Sequence, residues 1–394
     1  MMEHGNEKQR DGERMHAQTM DGKRTLGQKA MNFVKQNTVL TIAFCAACLS
    51  ALVVPPDAAY GGYFDVKTLC CLFGTLAVVC ALKNVHFFAI LARRIIRMTG
   101  NARSAALALV CITFIGSMLI ANDMALITFL PLGYLVFSAT GRPRDTALVF
   151  ILQNIAANLG GMLTPFGNPQ NLYLYSHFQI PTEEFMGIMW WPFVVAMVMV
   201  MACCLFIPCY SLRIDETRED TLPLLRTGVY LALFAMTILM IFRVLPIWLV
   251  LAAVVGVLLI MDRRALAQVD YALLCTFVCF FIFAGNMGRI DAVRGFFSRL
   301  LGWNTLVTSV LSCQVISNVP TAILLSQFTD HYTQLLRGVN IGGAGTLIAS
   351  LASLITFREF TAHYRRETGL YIRLFSLLNF GFLAVLTAFC LLLG

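Results

Sequence analysis

The run Asn158-Leu-Gly-Gly-Met-Leu-Thr-Pro-Phe-Gly-Asn-Pro-Gln-Asn171 sets helix breakers and uncharged polar side chains inside a long apolar stretch. Gly160, Gly161, Pro165, Gly167 and Pro169 make a continuous helix costly there. Backbone groups released inside hydrocarbon need partners, and a broken helix is tolerated at that depth where it lines a cavity. Asn158, Thr164, Asn168, Gln170 and Asn171 supply replacement groups. The run therefore reads as half of a binding site for a small polar solute near the bilayer midplane.

A second run supplies the other half. Asn340-Ile-Gly-Gly-Ala-Gly-Thr346 aligns without gaps on Asn158-Leu-Gly-Gly-Met-Leu-Thr164. Beyond it, Ala349 falls opposite Gly167, Ser350 opposite Asn168 and Ser353 opposite Asn171. Each run follows an apolar region interrupted at an asparagine, Ala121-Asn122-Asp123 in one case and Ser317-Asn318-Val319-Pro320 in the other. Each of those regions follows a basic amphipathic stretch, marked by Arg93, Arg94 and Arg97 and by Arg289, Arg294 and Arg299. The same order of parts occurring twice marks an internal repeat.

The elements that position these residues follow from composition. The chain has 394 residues, 58% hydrophobic and only 13% charged, against about a quarter charged in a soluble protein. This is an all-α polytopic membrane protein, with lipid as its solvent. The net charge of +8 fits basic cytoplasmic loops and requires no nucleic acid. The 13 cysteines lie mostly within apolar runs. Cys45 and Cys48 form a C-x-x-C without matching His or Cys pairs, so they read as packing residues.

Residues 1–36 form a polar, uncapped tail with no signal peptide, expected to be disordered and cytoplasmic. Residues 37–210 make a first transmembrane half, 211–227 a charged cytoplasmic linker and 228–394 a second half. Expected spans are Asn37–Val54, Thr68–Leu82, Met189–Cys209 after an acidic outer loop at Glu183 and Glu184, Gly228–Phe242, Pro246–Met261, Tyr271–Met287 and Leu370–Leu393. The N-terminus falls inside and the C-terminus outside, in a bacterial-type inner or plasma membrane. For the interrupted regions two readings stand. One is a re-entrant helical hairpin with the asparagine at its tip. The other is a pair of ordinary spans, although the halves of the first, at about 16–18 residues, are short for crossing. The span count puts the two units in opposite orientations, an inverted repeat, and places the second basic stretch, at Arg289, Arg294 and Arg299, on the outside against the positive-inside trend.

Two hairpin tips and two unwound segments would present helix N-termini, whose partial positive charge attracts anions. Bare carbonyls suit Na⁺. Neither motif contains Arg or Lys, so cotransported cations would balance an anion's charge. Asp123 has two readings: a cap on the adjacent half-helix, or a group that takes part in coupling.

At these residues the chain resembles the ion transporter superfamily, and within it the divalent anion:sodium symporters, the citrate-transporter-like proteins and the arsenite permeases. The motifs that carry the resemblance are Ala121-Asn122-Asp123, Thr164-Pro-Phe-Gly-Asn-Pro-Gln-Asn171, Ser317-Asn318-Val-Pro-Thr321 and Gly342-Gly-Ala-Gly-Thr346. The resemblance implies a homodimer with elevator-type alternating access and no cofactor beyond Na⁺ or H⁺ as coupling ion. It implies one Na⁺ site at Asn122 and Gly167 and another at Ser317, Asn318 and Ala349. The solute would lie near Asn122, Asp123, Thr164, Asn168, Ser317, Asn318, Thr346 and Ser350. The symporters carry Ser-Asn-Thr at both tips. Here Ala121-Asn122-Asp123 and Ser317-Asn318-Val319 lack two of those hydroxyls and add a carboxylate.

The function expected is secondary active transport of a small anion, a di- or tricarboxylate, coupled to Na⁺ or H⁺. The alternatives are an arsenite- or antimonite-type permease and a Na⁺/H⁺ antiporter. A channel is a further class. A membrane enzyme would need H-E-x-x-H, G-x-S-x-G or acidic metal motifs, and the sequence has none.

Overall fold

The computed structural model describes residue 34 and residues 37–138, 141–211 and 222–393. Apart from residue 34, the expected tail over 1–36 lies outside the described residues, as does most of the 211–227 linker. Among the described residues the fold is helical, and its one extended pairing is an isolated bridge between Asn101 and Ser211. Seven helices there are long and apolar enough to cross a membrane.

The first half opens with α1 (Thr38–Val53), α2 (Val66–Asn84) and the basic amphipathic α3 (Phe87–Arg97). Phe88, Ala92 and Ile96 recur at helical spacing and are the buried face of α3, while Arg94 and Arg97 stay exposed. Next come α4 (Ala102–Ile120) and α5 (Asn122–Ser138), which pack on each other across a one-residue corner at Ala121. Asn101 and Ser104 form a capping box at the start of α4. The glycine-rich motif splits one helix into α6 (Pro143–Gly160) and α7 (Pro169–His177). Proline at the first position of α7 has no N–H to leave unpaired. The half ends with α8 (Thr182–Cys204). Its first turn contains Glu183 and Glu184, so the expected acidic loop is helix instead, with carboxylates at the positive end of the helix dipole.

Then follow α9 (Leu224–Ile241), α10 (Ile247–Met261) and the short α11 (Arg263–Ala267). The second half repeats the motif order. It consists of α12 (Tyr271–Gly288), α13 (Asp291–Trp303), the pair α14 (Thr305–Ile316) and α15 (Asn318–Leu325), and the split helix α16 (Tyr332–Ile341) and α17 (Leu351–His363). It closes with α18 (Thr368–Leu392). The 12 residues of α14 rise about 18 Å, too little to cross the hydrocarbon. The 19 residues of α4 rise about 28 Å, longer than the sequence estimate for that half-hairpin.

The packing is interleaved. The first arms, α6 and α16, lie against the outgoing helix of their own pair, α4 and α14 respectively. The second arms cross over: α7 packs on α15 and α17 packs on α5. Around this core α1 packs on α12, while α9 and α10 pack on α2.

Candidate functional site

The two corners have the same backbone. Ala121 has φ 65° and ψ 152°, and Ser317 has φ 73° and ψ 160°. Residues with a β-carbon rarely adopt that conformation, which costs about 1–3 kcal/mol. In each case the next residue is asparagine, and its side-chain oxygen accepts the following N–H at 2.9 Å: Asp123 N–H to Asn122, and Val319 N–H to Asn318. Each asparagine thereby fixes the first turn of α5 or α15 and directs that helix N-terminus inward. Pro320 falls in the first turn of α15, where a missing N–H is harmless, so the break in this region is Ser317 alone.

The unwound segments are held against the corners by matched contacts. Thr164 donates its hydroxyl to the Met118 carbonyl at 2.7 Å, and Thr346 donates to the Gln314 carbonyl at 3.0 Å. Met118 and Gln314 each stand four residues before their tip asparagine. Gly160 lets the motif approach α4, since a β-carbon there would lie 2.2 Å from the Phe114 carbonyl oxygen. Gly342 does the same on α14, where its β-carbon would lie 2.8 Å from Cβ of Cys313. Ser117 and Cys313, the side chains at these approaches, each lie five residues before a tip asparagine. The α7 and α17 helices start at matching capping residues, Asn168 (φ −139°) and Ser350 (φ −147°).

Across the centre the two motifs bond to each other. Asn158 Oδ1 accepts from Asn122 Nδ2 at 3.3 Å and from Ser350 Oγ at 2.7 Å. Asn168 Nδ2 donates to the Asn158 carbonyl at 3.2 Å and to Asn340 Oδ1 at 3.3 Å. Asn340 Nδ2 donates to Asn171 Oδ1 at 2.6 Å. A β-carbon on Gly343 would lie 3.1 Å from Asn318 Nδ2 and 3.8 Å from Asn158 Oδ1. Both tips and both unwound segments therefore meet at one buried place, lined by neutral amides and hydroxyls. The ends of α5, α7, α15 and α17 nearest it are all N-termini, an arrangement that favours negative charge.

The sequence-derived residues divide by what they do here. Asn122, Asn168, Asn318 and Ser350 are buried at the meeting point. Thr164 and Thr346 spend their hydroxyl protons on the tip helices. Ser317 Oγ donates to the Ala349 carbonyl at 3.2 Å, and the Asn318 N–H donates to the same oxygen at 2.9 Å. Gly167 packs against backbone, and a β-carbon on it would lie 2.3 Å from the Gly161 carbonyl oxygen. Asp123 faces a cavity of about 90 Å³ shared with Asn168, α2 and the start of α12. A second cavity, of about 450 Å³, lies between the α1–α2 connection, α12 and the α7 and α15 helices, with Tyr63, Asp65, His177 and Gln327 in its wall.

Sequence reasoning missed Gln314. Its amide donates to the carbonyls of Gly342 and Ala344 at 2.9 and 3.1 Å, and its oxygen accepts from Thr346 N–H at 2.8 Å. A lone glutamine in the apolar run before Asn318 was the available signal. Gln153 and Asn154 behave as interhelical ties, to Phe129 and Ser353 respectively.

The chain is similar to known transporter proteins. The family described as citrate transporter matches residues 33–334, a stretch that includes the α4–α5 and α14–α15 pairs and the first split helix. The uncharacterized transporter MJ0456 of Methanocaldococcus jannaschii is 30% identical over 327 residues, covering 82% of this chain and 88% of that protein. The inner membrane protein YbiR of Escherichia coli is 28% identical over 302 residues, covering 75% and 80%. The expected superfamily resemblance is thus met in its citrate-transporter branch. A helical fold with spans enough for a bilayer, and a family match over most of the chain, lead to one conclusion: the chain is a membrane transporter of the citrate transporter family.

Proposed function

We propose that the chain is a secondary active transporter of a small anion, a di- or tricarboxylate, driven by Na⁺ or H⁺. The observation that carries this reading is the convergence of two asparagine tips and two unwound segments on one buried set of neutral donors. The amides of Asn122 and Asn318 would bind carboxylate oxygens, while Asn168, Ser317 and Ser350 hold the pocket together by giving their protons to Asn158, Asn340 and Ala349. Thr164 and Thr346 act as pegs that hold each unwound segment on its hairpin. The four helix N-termini favour the anion's charge, and a cotransported cation balances the remainder, since no Arg or Lys lies at the tips.

We further read both helix pairs as re-entrant hairpins of inverted repeats, with the N-terminus inside and the C-terminus outside. The crossover of α7 onto α15 and of α17 onto α5 supports this, because each half completes the other. The protein works as a homodimer in the bilayer, and the motif-bearing helices move as a body past the remaining helices.

Uptake of labelled citrate and succinate by proteoliposomes of the purified full chain tests the proposal. Saturable uptake that accumulates solute against its gradient under an imposed Na⁺ or proton gradient is expected. Uptake that only equilibrates, or a response to arsenite but to neither carboxylate, overturns it.

A further inference from the structure

Each broken helix has two inner ends, and they carry opposite partial charge. The N-termini of α7 and α17 suit an anion. Across the breaks, α6 and α16 end in freed carbonyls, equivalent to about half a negative charge at each helix C-terminus. Left bare, those carbonyls would repel a carboxylate. Both halves cover them with a side-chain amide, and the amide comes from a different element in each half.

In the first half the cover is Asn171, in the first turn of α7 and fully buried. Its Nδ2 is shared among the carbonyls of Gly161, Met162 and Thr164 at 3.1, 3.4 and 3.3 Å. In the second half the residue opposite Asn171 is Ser353. Among the described residues, Ser353 donates to no carbonyl of its own break. The cover there is Gln314, on α14. Its Nε2 donates to the carbonyls of Gly342 and Ala344 at 2.9 and 3.1 Å, and its Oε1 accepts the Thr346 N–H at 2.8 Å. Ala344 stands opposite Met162 in the repeat, so the two amides reach a corresponding carbonyl from different sides. Met118, which like Gln314 stands four residues before a tip asparagine, has no N–H to give. Positions 171 and 353 keep one task in common. Asn171 Oδ1 accepts from Asn340 at 2.6 Å and Ser353 Oγ accepts from Asn154 at 3.3 Å, so each ties its second arm to the first arm of the opposite half. Only the donor task has moved.

Resting on the reading of the chain as a carrier of carboxylates, we propose that Asn171 and Gln314 are paired positioning residues of the solute site. Each holds one unwound segment in shape and covers its negative helix end, so that an anion meets helix N-termini and amide donors. Neither has to touch the solute. A side chain that served packing alone would have no reason to reach a corresponding carbonyl from another element. The first segment is thereby fixed to its own second arm, and the second segment to its hairpin.

The test exchanges residues between the halves. Asn171→Ser gives the first half the residue found at 353, and Gln314→Met gives the second half the residue found at 118. KM and kcat for citrate uptake are measured in proteoliposomes of the full chain. The citrate concentration that half-raises the melting temperature is measured in detergent. Each single variant is expected to raise KM and this midpoint about tenfold, as loss of hydrogen bonds of this kind implies, while kcat changes little. Adding Met118→Gln to Asn171→Ser supplies a donor from the hairpin side and is expected to restore both values. Adding it to Gln314→Met is expected to restore neither. A loss of kcat with KM unmoved, a wild-type midpoint in both single variants, or a double variant no better than Asn171→Ser overturns the proposal. If Asn171→Ser does not fold, a double variant that folds with a wild-type midpoint supports it, and one that also fails to fold overturns it. Midpoints that shift as described in a chain without citrate uptake count against the carrier reading alone. A wild-type chain stabilised by neither citrate nor succinate overturns both.

Discussion

Ser350 Oγ lies 2.7 Å from Asn158 Oδ1 and donates to it, joining the start of α17 to the end of α6 across the two halves. The same oxygen accepts from Asn122, so one amide carbonyl holds a hairpin tip and the opposite unwound segment together. Replacing Ser350 with alanine leaves Asn158 Oδ1 one partner and is expected to cost about 1 kcal/mol. Asn158→Ala strands donors on both sides and is expected to cost about 2–3 kcal/mol. Thermal unfolding of both variants in detergent checks the order of the two effects.

Asn122→Ala and Asn318→Ala are expected to abolish uptake while leaving membrane insertion intact. Each asparagine caps a helix N-terminus and also faces the meeting point, so its loss removes a ligand and loosens a tip. Uptake by proteoliposomes containing matched amounts of protein is the measurement. Wild-type rates in both variants would take the tips out of the binding site.

Gly160→Ala places a methyl group 2.2 Å from a backbone oxygen that has no freedom to withdraw. Gly342→Ala meets Cys313 at 2.8 Å. Overpacking of this kind costs about 1–3 kcal/mol, and the backbone clash at Gly160 is expected to be the worse of the two. Gly256 has nothing within 4 Å of an added β-carbon, so Gly256→Ala is expected to be neutral or slightly stabilising. Expression level and melting temperature of the three variants compare them directly.

Ala121→Gly relieves the corner and is expected to stabilise the protein by about 1 kcal/mol, the strain removed exceeding the added chain entropy. Ser317→Gly is not expected to match this gain, because it also loses the hydroxyl bonds to Ala349 and Asn318. A chemical denaturation series on the pair shows whether the two corners respond differently.

At the protein's edge, Asp57 and Arg289 form an ion pair of 2.7 Å. The guanidinium holds the Asp57 carboxyl below its ordinary value of 3.8. A depressed carboxylate contributes stability above that ordinary value and loses it as pH falls through its folded value. Asp57→Asn is therefore expected to melt slightly lower than wild type at neutral pH, with the gap closing in acid and shrinking in high salt.

The sequence was most legible where residues force the backbone. Glycine and proline marked the breaks between α6 and α7 and between α16 and α17, because few other signals end a helix inside an apolar run. Arginine spacing marked α3 and α13. Where nothing local is forced, sequence reading was less accurate. Glu183 and Glu184 read as loop because they are charged, although a helix start welcomes carboxylates. Pro320 read as part of the break, although the first turn of a helix accommodates proline. Which amide meets which was not legible at all. The Asn158–Ser350 and Asn168–Asn340 bonds depend on how the second arms cross over, and no alignment of one half on the other carries that information. Gln314 escaped for the same reason: its worth depends on the Gly342–Thr346 backbone folding around it.

Ala121 and Ser317 sit in a conformation their own side chains disfavour, and only surrounding contacts keep them there. A tip freed from those contacts would relax to a different angle instead of merely loosening. What fills the space between the tips therefore sets the direction in which α5 and α15 point, and a bound solute would be felt along both helices at once. The two tips would report it unequally, since Ser317 is tied to Ala349 and Ala121 is not.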